Sequence, residues 1–427
     1  MSGAVFSDVE SYGMLKELYS DDVRYQEHVQ NSLYSFLKQA GSGDVEFDGN
    51  YWNVPVLFGL NESYQAINDS EHLPESEFQK GVFAKYRVKL TYGTIEATTF
   101  AGTRGHKNGR PSGKYLDDQV KSSFMSFLSQ RDFDCYGNGR GYRATILTAT
   151  PAAASFTVTT SMMIRPTMKF DWYDSTYTTK RGSIKVSIQG VDRMNRTVYI
   201  DSTFGTGAVP AAAVAGDVLV VYGSLNPNEP SDGRHPAGLD RLTDSTLSLG
   251  GLASSVYAAW TPTNVNASGA NPSQELLQQH WDAMYQISGL YPNRMAFNPN
   301  WKRTYLSQFL NQRRFTTNSF DTGATSLTFS PLKMGQDEKG KKPAEFQMLE
   351  DKNCPPTLYY LWQADSLMVA YDYSSEPHLA DEDEREFRFR LGYDSLQAFL
   401  RFWWNTVVMQ RNAIGKAYGF ASASGVL

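Results

Sequence analysis

One segment constrains the fold of this chain more than any other, because from residue 82 to residue 92 a side of apolar residues alternates with a side that is polar apart from Phe83. Successive side chains of a β-strand point to opposite faces, so a period of two residues predicts a strand. At about 3.3 Å per residue this strand would be about 36 Å long, which is longer than most strands of globular proteins. The apolar side holds Val82, Ala84, Tyr86, Val88, Leu90 and Tyr92, and the other side holds Phe83, Lys85, Arg87, Lys89 and Thr91.

A second apolar run, from Val54 to Leu60, precedes this strand across a polar stretch. Together the two runs predict a long two-stranded ribbon. Such a ribbon is marginally stable by itself and needs another surface to lie on. We expect its apolar side, from Ala84 to Leu90, to pack on a subunit and its basic side, from Lys85 to Lys89, to face away.

Charge is distributed unevenly along the chain. Residues 1–50 hold nine acidic and three basic side chains, a net charge of −6, whereas residues 80–143 hold five acidic and twelve basic ones, a net charge of +7. The whole chain has a net charge of −5, which argues against nucleic acid as its main ligand. An acidic segment and a basic ribbon on one chain favour a heterologous contact, in which unlike patches of neighbouring copies meet around a ring.

The remaining patterns predict a chain of the α+β class. Helical spacing of apolar residues predicts helices at residues 25–37 and 114–133, after the capping pair Asn271-Pro272, and from Asn300 onward. Alternating patterns predict strands within residues 150–225 and at residues 387–393, and further strands are expected at residues 357–361 and 367–371. The dense apolar run at residues 399–408 predicts a strand that is buried on both faces. The long helix at 114–133 is followed by the glycine-rich run Gly137–Gly141. Glycine adopts backbone conformations that other residues avoid, so this run predicts a sharp turn.

Composition excludes several functional classes. No apolar run approaches the roughly 18 residues of a membrane-spanning helix, and the N-terminus lacks the pattern of a secretory signal, so no membrane partner is expected. The two cysteines, Cys135 and Cys354, are far apart in sequence. We expect them to be ordinary buried thiols of a protein in a reducing cytoplasm.

A search for chemical motifs yields no catalytic, cofactor-binding or metal-binding residue. Residues 335–342 nearly match a phosphate-binding loop, but Lys342 stands where a Ser or Thr must hold Mg²⁺. The run Gly137–Gly139 begins like a dinucleotide fingerprint, but it follows a helix, and Tyr142 occupies the third glycine position. The run Asp381–Glu386 offers ligands for Ca²⁺ but lacks the glycine of an EF-hand loop, so a solvated or interfacial surface explains it equally well.

In their order along the chain, these elements resemble the major capsid proteins of tailed bacteriophages. The resemblance covers nearly the whole chain and is clearest in the glycine turn Asp134–Gly139 and the segment Pro292–Phe297. The family has an N-terminal arm, a long two-stranded extended loop, a spine helix in a peripheral domain, and an axial domain of helices around a central sheet. The resemblance implies an arm at residues 1–52, an extended loop at 53–110, a peripheral domain with the spine helix and a β-rich insertion at 111–245, an axial domain at 246–379, and return strands of the peripheral domain at 380–427.

The resemblance also implies a function. A structural protein of this family has no catalytic role or cofactor and self-assembles into the hexamers and pentamers of an icosahedral head around double-stranded DNA. The implied partners are copies of itself, a separate scaffolding protein and a portal, with a decoration protein left open and only weak, sequence-independent contact with packaged DNA. The expected location is the virion shell, and the host cytoplasm during assembly. Two alternatives stay open, a phage tail or carbohydrate-binding β protein and a hydrolase without a recognisable motif.

One contact between subunits is predicted in detail. The strand pattern places Lys85, Arg87 and Lys89 on one face of the ribbon. We expect this face to meet acidic surface on a neighbouring subunit. The candidates are the N-terminal arm and the run that contains Asp381, Glu382, Asp383 and Glu384. Each exposed ion pair is worth at most about 1 kcal/mol, but a shell repeats the contact many times.

Overall fold

The computed structural model of the chain describes residues 32–40, 45–60, 80–98, 112–225, 233–307, 346–372 and 395–421, and short pieces of the stretches 63–79 and 377–393. The chain divides into two compact units. The first comprises Leu90–Asp132 and Tyr371–Trp404 together with residues 1–31, which lie outside the described residues. The second comprises Ser32–Lys89, Phe133–Ala370 and Asn405–Leu427. The predicted mixture of helices and strands is confirmed.

Residues 395–404 of the first unit belong to one long strand, Ser395–Val408, around which a sheet forms. Its alternate residues Leu400 and Phe402 are buried, and the guanidinium of Arg131 lies 5.4 Å from the centre of the Phe402 ring. The dense apolar strand predicted at residues 399–408 is therefore confirmed. Its partners in this unit are Lys89–Thr98, His378–Leu379 and Arg388–Phe389.

The predicted ribbon is present in the second unit. Strand Tyr51–Gly59 pairs antiparallel with Lys80–Arg87, and the short strand Glu46–Phe47 pairs with the other edge of the first. The alternation of the sequence sets the two faces of this pair. Trp52, Val54, Val56, Ala84 and Tyr86 are buried on one side.

The ribbon strand is shorter than its sequence pattern predicts. The alternating run is divided between two strands, Lys80–Arg87 and Lys89–Thr98, with Val88 between them. The amide of Val88 donates to the carbonyl of Asn50. Beyond this point the faces exchange, because Lys89 is buried and Leu90 is exposed. The expectation that one face continues from residue 82 to residue 92 is wrong.

The long helix predicted at residues 114–133 spans Ser112–Tyr136. Its last turn is buried, and the amide of Gly137 donates to the carbonyl of Asp134 as the helix ends. Gly139 and Gly141 follow with φ values of 78° and 75°. This left-handed backbone favours glycine, which explains why the turn is rich in it.

A closed six-stranded barrel occupies residues 142–221. Its strands are Tyr142–Thr148, Ser155–Val158, Lys169–Tyr173, Lys180–Asp192, Thr197–Ile200 and Val218–Val221. Inward-facing residues such as Phe156, Trp172 and Ile184 form its own hydrophobic core. The first and last strands pair with each other, so Tyr142 lies opposite Val220 where the chain enters and leaves. The predicted β structure is confirmed here, but its closure into a barrel was not expected.

A five-stranded sheet with two helices forms another core of the second unit. The strand order is Val265–Asn266, Ile414–Tyr418, Tyr359–Trp362, Arg294–Phe297 and Gln347–Glu350. The helices are Gln274–Ser288 and Pro299–Ser307, and a short helix, Leu239–Leu242, precedes the sheet. Elsewhere in the unit, the helix Ser32–Phe36 leads to Lys38–Gln39, which pairs parallel with the strand Leu367–Asp372.

The caps of these helices differ from the prediction. The first begins two residues after Pro272, because the Ser273 hydroxyl accepts a hydrogen bond from the amide of Leu276 and serves as the N-cap. The second begins at Pro299, one residue before Asn300. Cys135 and Cys354 are buried and are not joined in a disulfide, as expected.

Mild acid is expected to destabilise the second unit through His280. Burial lowers the pKa of this fully buried imidazole to about 4, against about 6.5 in an unfolded chain. The unfolded state therefore binds the extra proton first, so stability is present above pH 6.5 and is lost as the pH falls towards 4, by on the order of 3 kcal/mol. Thermal unfolding of His280→Gln should lose this part of the pH dependence. An unchanged slope between pH 6.5 and pH 4.5 would contradict the assignment.

Candidate inter-subunit surface

The outer face of the ribbon is an exposed surface with a regular pattern of side chains. The directly opposed pairs on this face are Tyr51 with Arg87, Asn53 with Lys85, Pro55 with Phe83, and Leu57 with Gly81. Arg87 and Lys85 make one half of the face basic, and Phe83 and Leu57 make the other half apolar. A Cβ atom on Gly81 would lie 2.9 Å from Cδ2 of Leu57, so glycine is what allows the leucine to lie across the strand.

The inner face fixes the ribbon to its own subunit. The hydroxyl of Tyr86 donates to the carbonyl of Val408 at 3.2 Å, and the amide of Lys85 donates to the carbonyl of Gly250 at 2.9 Å. Further along, the ring of Phe58 stacks on Tyr257 with 4.5 Å between centroids. The apolar side of the ribbon was expected to pack on a subunit. This is confirmed for Ala84 and Tyr86, which precede the break at Val88 and pack on the ribbon's own subunit.

The basic half contains Lys85 and Arg87, both exposed. The carboxylate of Asp48 lies at the same end and accepts hydrogen bonds from the amides of Tyr51 and Asn50. Those bonds, with a smaller contribution from the charge of Lys85, lower the pKa of Asp48. The carboxylate therefore stays ionised at neutral pH and moderates the positive potential without removing it.

Lys89 does not share this face, contrary to the sequence prediction. Its side chain is only 7% exposed, and its Nζ atom donates to the carbonyl of Gly233 at 2.7 Å. The cause is the break at Val88, which turns the next residue inward. The residues proposed as its acidic partners, Asp381, Glu382, Asp383 and Glu384, lie outside the described residues.

The apolar half of the face was missed by the sequence analysis. Leu57 is 61% exposed and Phe83 is 53% exposed, and exposed apolar side chains continue towards the ribbon tip at Leu60, Tyr64 and Phe78. Exposed apolar side chains grouped in this way are typical of interaction surfaces. A signal for it was present, because the run from Val54 to Leu60 is apolar at both alternating positions, as in strands that are covered on both faces.

A buried polar cluster lies beside the glycine turn. The hydroxyl of Ser224 is 2.7 Å from Nε2 of His235, whose Nδ1 is 2.9 Å from both carboxylate oxygens of Asp134. Arg143 donates to the same carboxylate at 2.7 Å. Burial alone would raise the pKa of Asp134, but His235 and Arg143 hold it below its usual value.

These atoms have the order of a hydrolytic Ser–His–Asp triad. However, Ser224 is 4% exposed, and a Cβ on Gly141 would lie 2.8 Å from its hydroxyl oxygen. The packing of Gly141 against the hydroxyl leaves no room for a substrate carbonyl. We therefore interpret the cluster as a structural link that joins the helix end and the first barrel strand to Ser224 and His235.

Comparison with known proteins gives a consistent result at the level of structure. The capsid asymmetric unit of cyanophage A-1(L) matches with a TM-score of 0.51 and 10% sequence identity, over 96% of this chain and 98% of that one. The chain has the fold of tailed-phage major capsid proteins. A further similar structure is the capsid of a native GTA particle, with a TM-score of 0.47 and 9% identity over 98% of this chain and 99% of that one. Another is the holo-SrpI encapsulin complex of Synechococcus elongatus PCC 7942, with a TM-score of 0.46 and 7% identity over 97% of this chain and 95% of that one.

Sequence comparison adds nothing to this likeness, since no family model matches the chain and no curated protein is similar to it. Within the described residues, no three His, Cys, Asp or Glu side chains are grouped to hold a metal ion. The helices in that part of the chain include none that is long and apolar enough to cross a membrane.

Proposed function

We propose that the chain is the shell-forming subunit of a tailed-phage head, which assembles into hexamers and pentamers that enclose double-stranded DNA. The observation that carries this proposal is the capsid fold, matched over 96% of the chain and 98% of the cyanophage subunit. The protein would act without catalysis or cofactor, in the virion shell and, during assembly, in the host cytoplasm. A scaffolding protein and a portal would come from other chains, and contact with packaged DNA would be weak and independent of sequence.

The domain plan implied by the family is part of the proposal. It assigns residues 1–52 to the arm, 53–110 to the extended loop, 111–245 to the peripheral domain, 246–379 to the axial domain and 380–427 to the return strands. The ribbon supports the second of these assignments, and the barrel supports a β-rich insertion within the third. The glycine turn supports the position of the spine helix.

We further propose that the outer face of the ribbon docks on a neighbouring copy. Its apolar half, with Leu57 and Phe83, would be covered by the neighbour, because exposed apolar surface of this extent is unfavourable in water. Its basic half, with Lys85 and Arg87, would meet acidic residues, either in the arm or at Asp381–Glu384. Such a contact joins unlike patches and therefore repeats around a ring.

Electron microscopy of the expressed full chain tests the function. Expressed with the genes that accompany it, the chain is expected to form closed shells of one diameter, and shells purified from infected cells should contain nuclease-protected DNA. A compact monomer or small dimer at high concentration, with the scaffold present, would contradict shell formation. Narrow rings or trimers would favour a tail or fibre protein instead.

A further inference from the structure

Residues 233–238, here called the clasp segment, lie directly against the turn that ends the long helix. The amide of His235 donates to the carbonyl of Gly139 at 3.2 Å, and Ala237 forms an isolated β-bridge with Asn138. A Cβ atom on Gly233 would overlap the carbonyl oxygen of Gly139. Together with the bonds from His235 to Asp134, these contacts hold the clasp segment firmly on the helix end.

The same segment holds the root of the ribbon. The Nζ atom of Lys89 donates to the carbonyl of Gly233 at 2.7 Å. At the other end of the segment, the amide of Ala237 donates to Oδ1 of Asn405 at 2.9 Å, and Nδ2 of the same asparagine donates to the carbonyl of Arg87 at 2.8 Å. Two polar links, one direct and one through Asn405, therefore connect the ribbon root to the clasp segment.

We propose that the clasp segment is a latch that fixes the direction of the ribbon, with Lys89 as its positioning residue. A small sheet of this kind is marginally stable by itself, so contacts at its base add to those made by its inner face. A buried, charge-assisted hydrogen bond is among the strongest links available for this purpose. In this proposal Lys89 makes a contact within its own subunit, whereas Lys85 and Arg87 contact a neighbouring subunit. The latch rests on the proposed function in one respect, because a ribbon of fixed direction would present its outer face to a neighbouring copy.

Hydrogen exchange of the unassembled full-length subunit tests the latch. Lys89→Met keeps the length of the side chain and removes the ammonium, and Lys85→Met is the matched control on the exposed face of the preceding strand, Lys80–Arg87. Amide exchange in residues 80–88 is expected to rise by about tenfold or more in the first variant and to stay unchanged in the second. Exchange in the barrel, at residues 184–200, should remain unchanged in both. Lys89→Arg, which restores a buried cationic donor, should restore slow exchange.

The outcomes separate the latch from the proposed function, because exchange is measured without assembly. Unchanged exchange at residues 80–88 in Lys89→Met would overturn the latch, whatever shells the variant forms. Faster exchange over the whole subunit would also overturn it, because it would show that Lys89 supports general stability and not the direction of the ribbon. Faster exchange confined to the ribbon supports the latch, even where the chain proves to form no shell.

Discussion

Changing Lys85 and Arg87 together to glutamate is expected to stop shell assembly at low salt while leaving the subunit folded. Both side chains are exposed on the outer face of the ribbon, so their reversal should cost the free subunit little. Across the proposed interface, the change turns two attractions into two repulsions. Each is worth at most about 1 kcal/mol, but every subunit of a shell would suffer both. Sedimentation and electron microscopy would measure the loss of shells, and circular dichroism the retained fold.

Salt and a neutral variant provide the controls for this experiment. Raising the salt concentration screens exposed charges and should partly restore assembly, whereas lowering it should deepen the defect. Replacing Lys85 and Arg87 with glutamine removes attraction without adding repulsion and should give a milder defect. Lys121→Glu, an equally exposed reversal on the long helix, is expected to assemble normally. Normal assembly of the double glutamate variant at low salt would mean that the apolar half of the face, and not its charge, governs docking.

Gly415→Ala is expected to prevent the second unit from folding stably. A Cβ atom at this position would overlap the carbonyl oxygen of Thr263 and would lie 2.7 Å from Nε2 of His280. Neither atom is free to withdraw. His280 Nε2 is 2.9 Å from that same carbonyl, and the amide of Thr263 donates to the carbonyl of Ile414. The added methyl group must break these bonds or displace a sheet strand, at an expected cost of more than about 3 kcal/mol.

The yield of soluble subunit and its thermal unfolding midpoint would measure this effect. Gly59→Ala is the matched control, because its added Cβ would meet Lys80 Cβ at an ordinary 3.6 Å, so the change should stay within about 1 kcal/mol. A Gly415→Ala subunit as stable as that control would show that the strand has more room beside Thr263 than the structure gives it.

Local patterns in the sequence identified most of the helices and strands, but not which distant segments pair with them. The long helix was predictable from apolar residues at helical spacing, and the strand ending at Val408 was predictable from its dense apolar run. The break at Val88 was not predictable, since the alternation of side chains continues through it. What changes there is the pairing partner, from the strand Tyr51–Gly59 to the strand Ser395–Val408, and partners distant in sequence leave no local trace.

The polar cluster shows the same limit on the scale of single residues. Asp134, Ser224 and His235 are separated by as many as 101 positions, and no spacing rule connects them. Gly415 offered a weak signal, because a glycine inside a strand often marks a close approach of another backbone. The sequence could not say which backbone approaches. Lys89 was misplaced for a related reason, since its burial depends on the carbonyl of Gly233 in a segment that shows no regular pattern.

The barrel has a consequence for how the protein can vary. Because Tyr142 and Val220 are paired, the first and last residues of the barrel lie side by side, and the barrel is connected to the rest of the chain at one place. Its core is complete within itself, so changes in its outer loops do not have to be compensated elsewhere. The tight turn between Asp192 and Thr197 is therefore a natural place to graft a foreign peptide. A shell built from such a chain would display the graft once per subunit, with the ribbon root and the helix end left as they are.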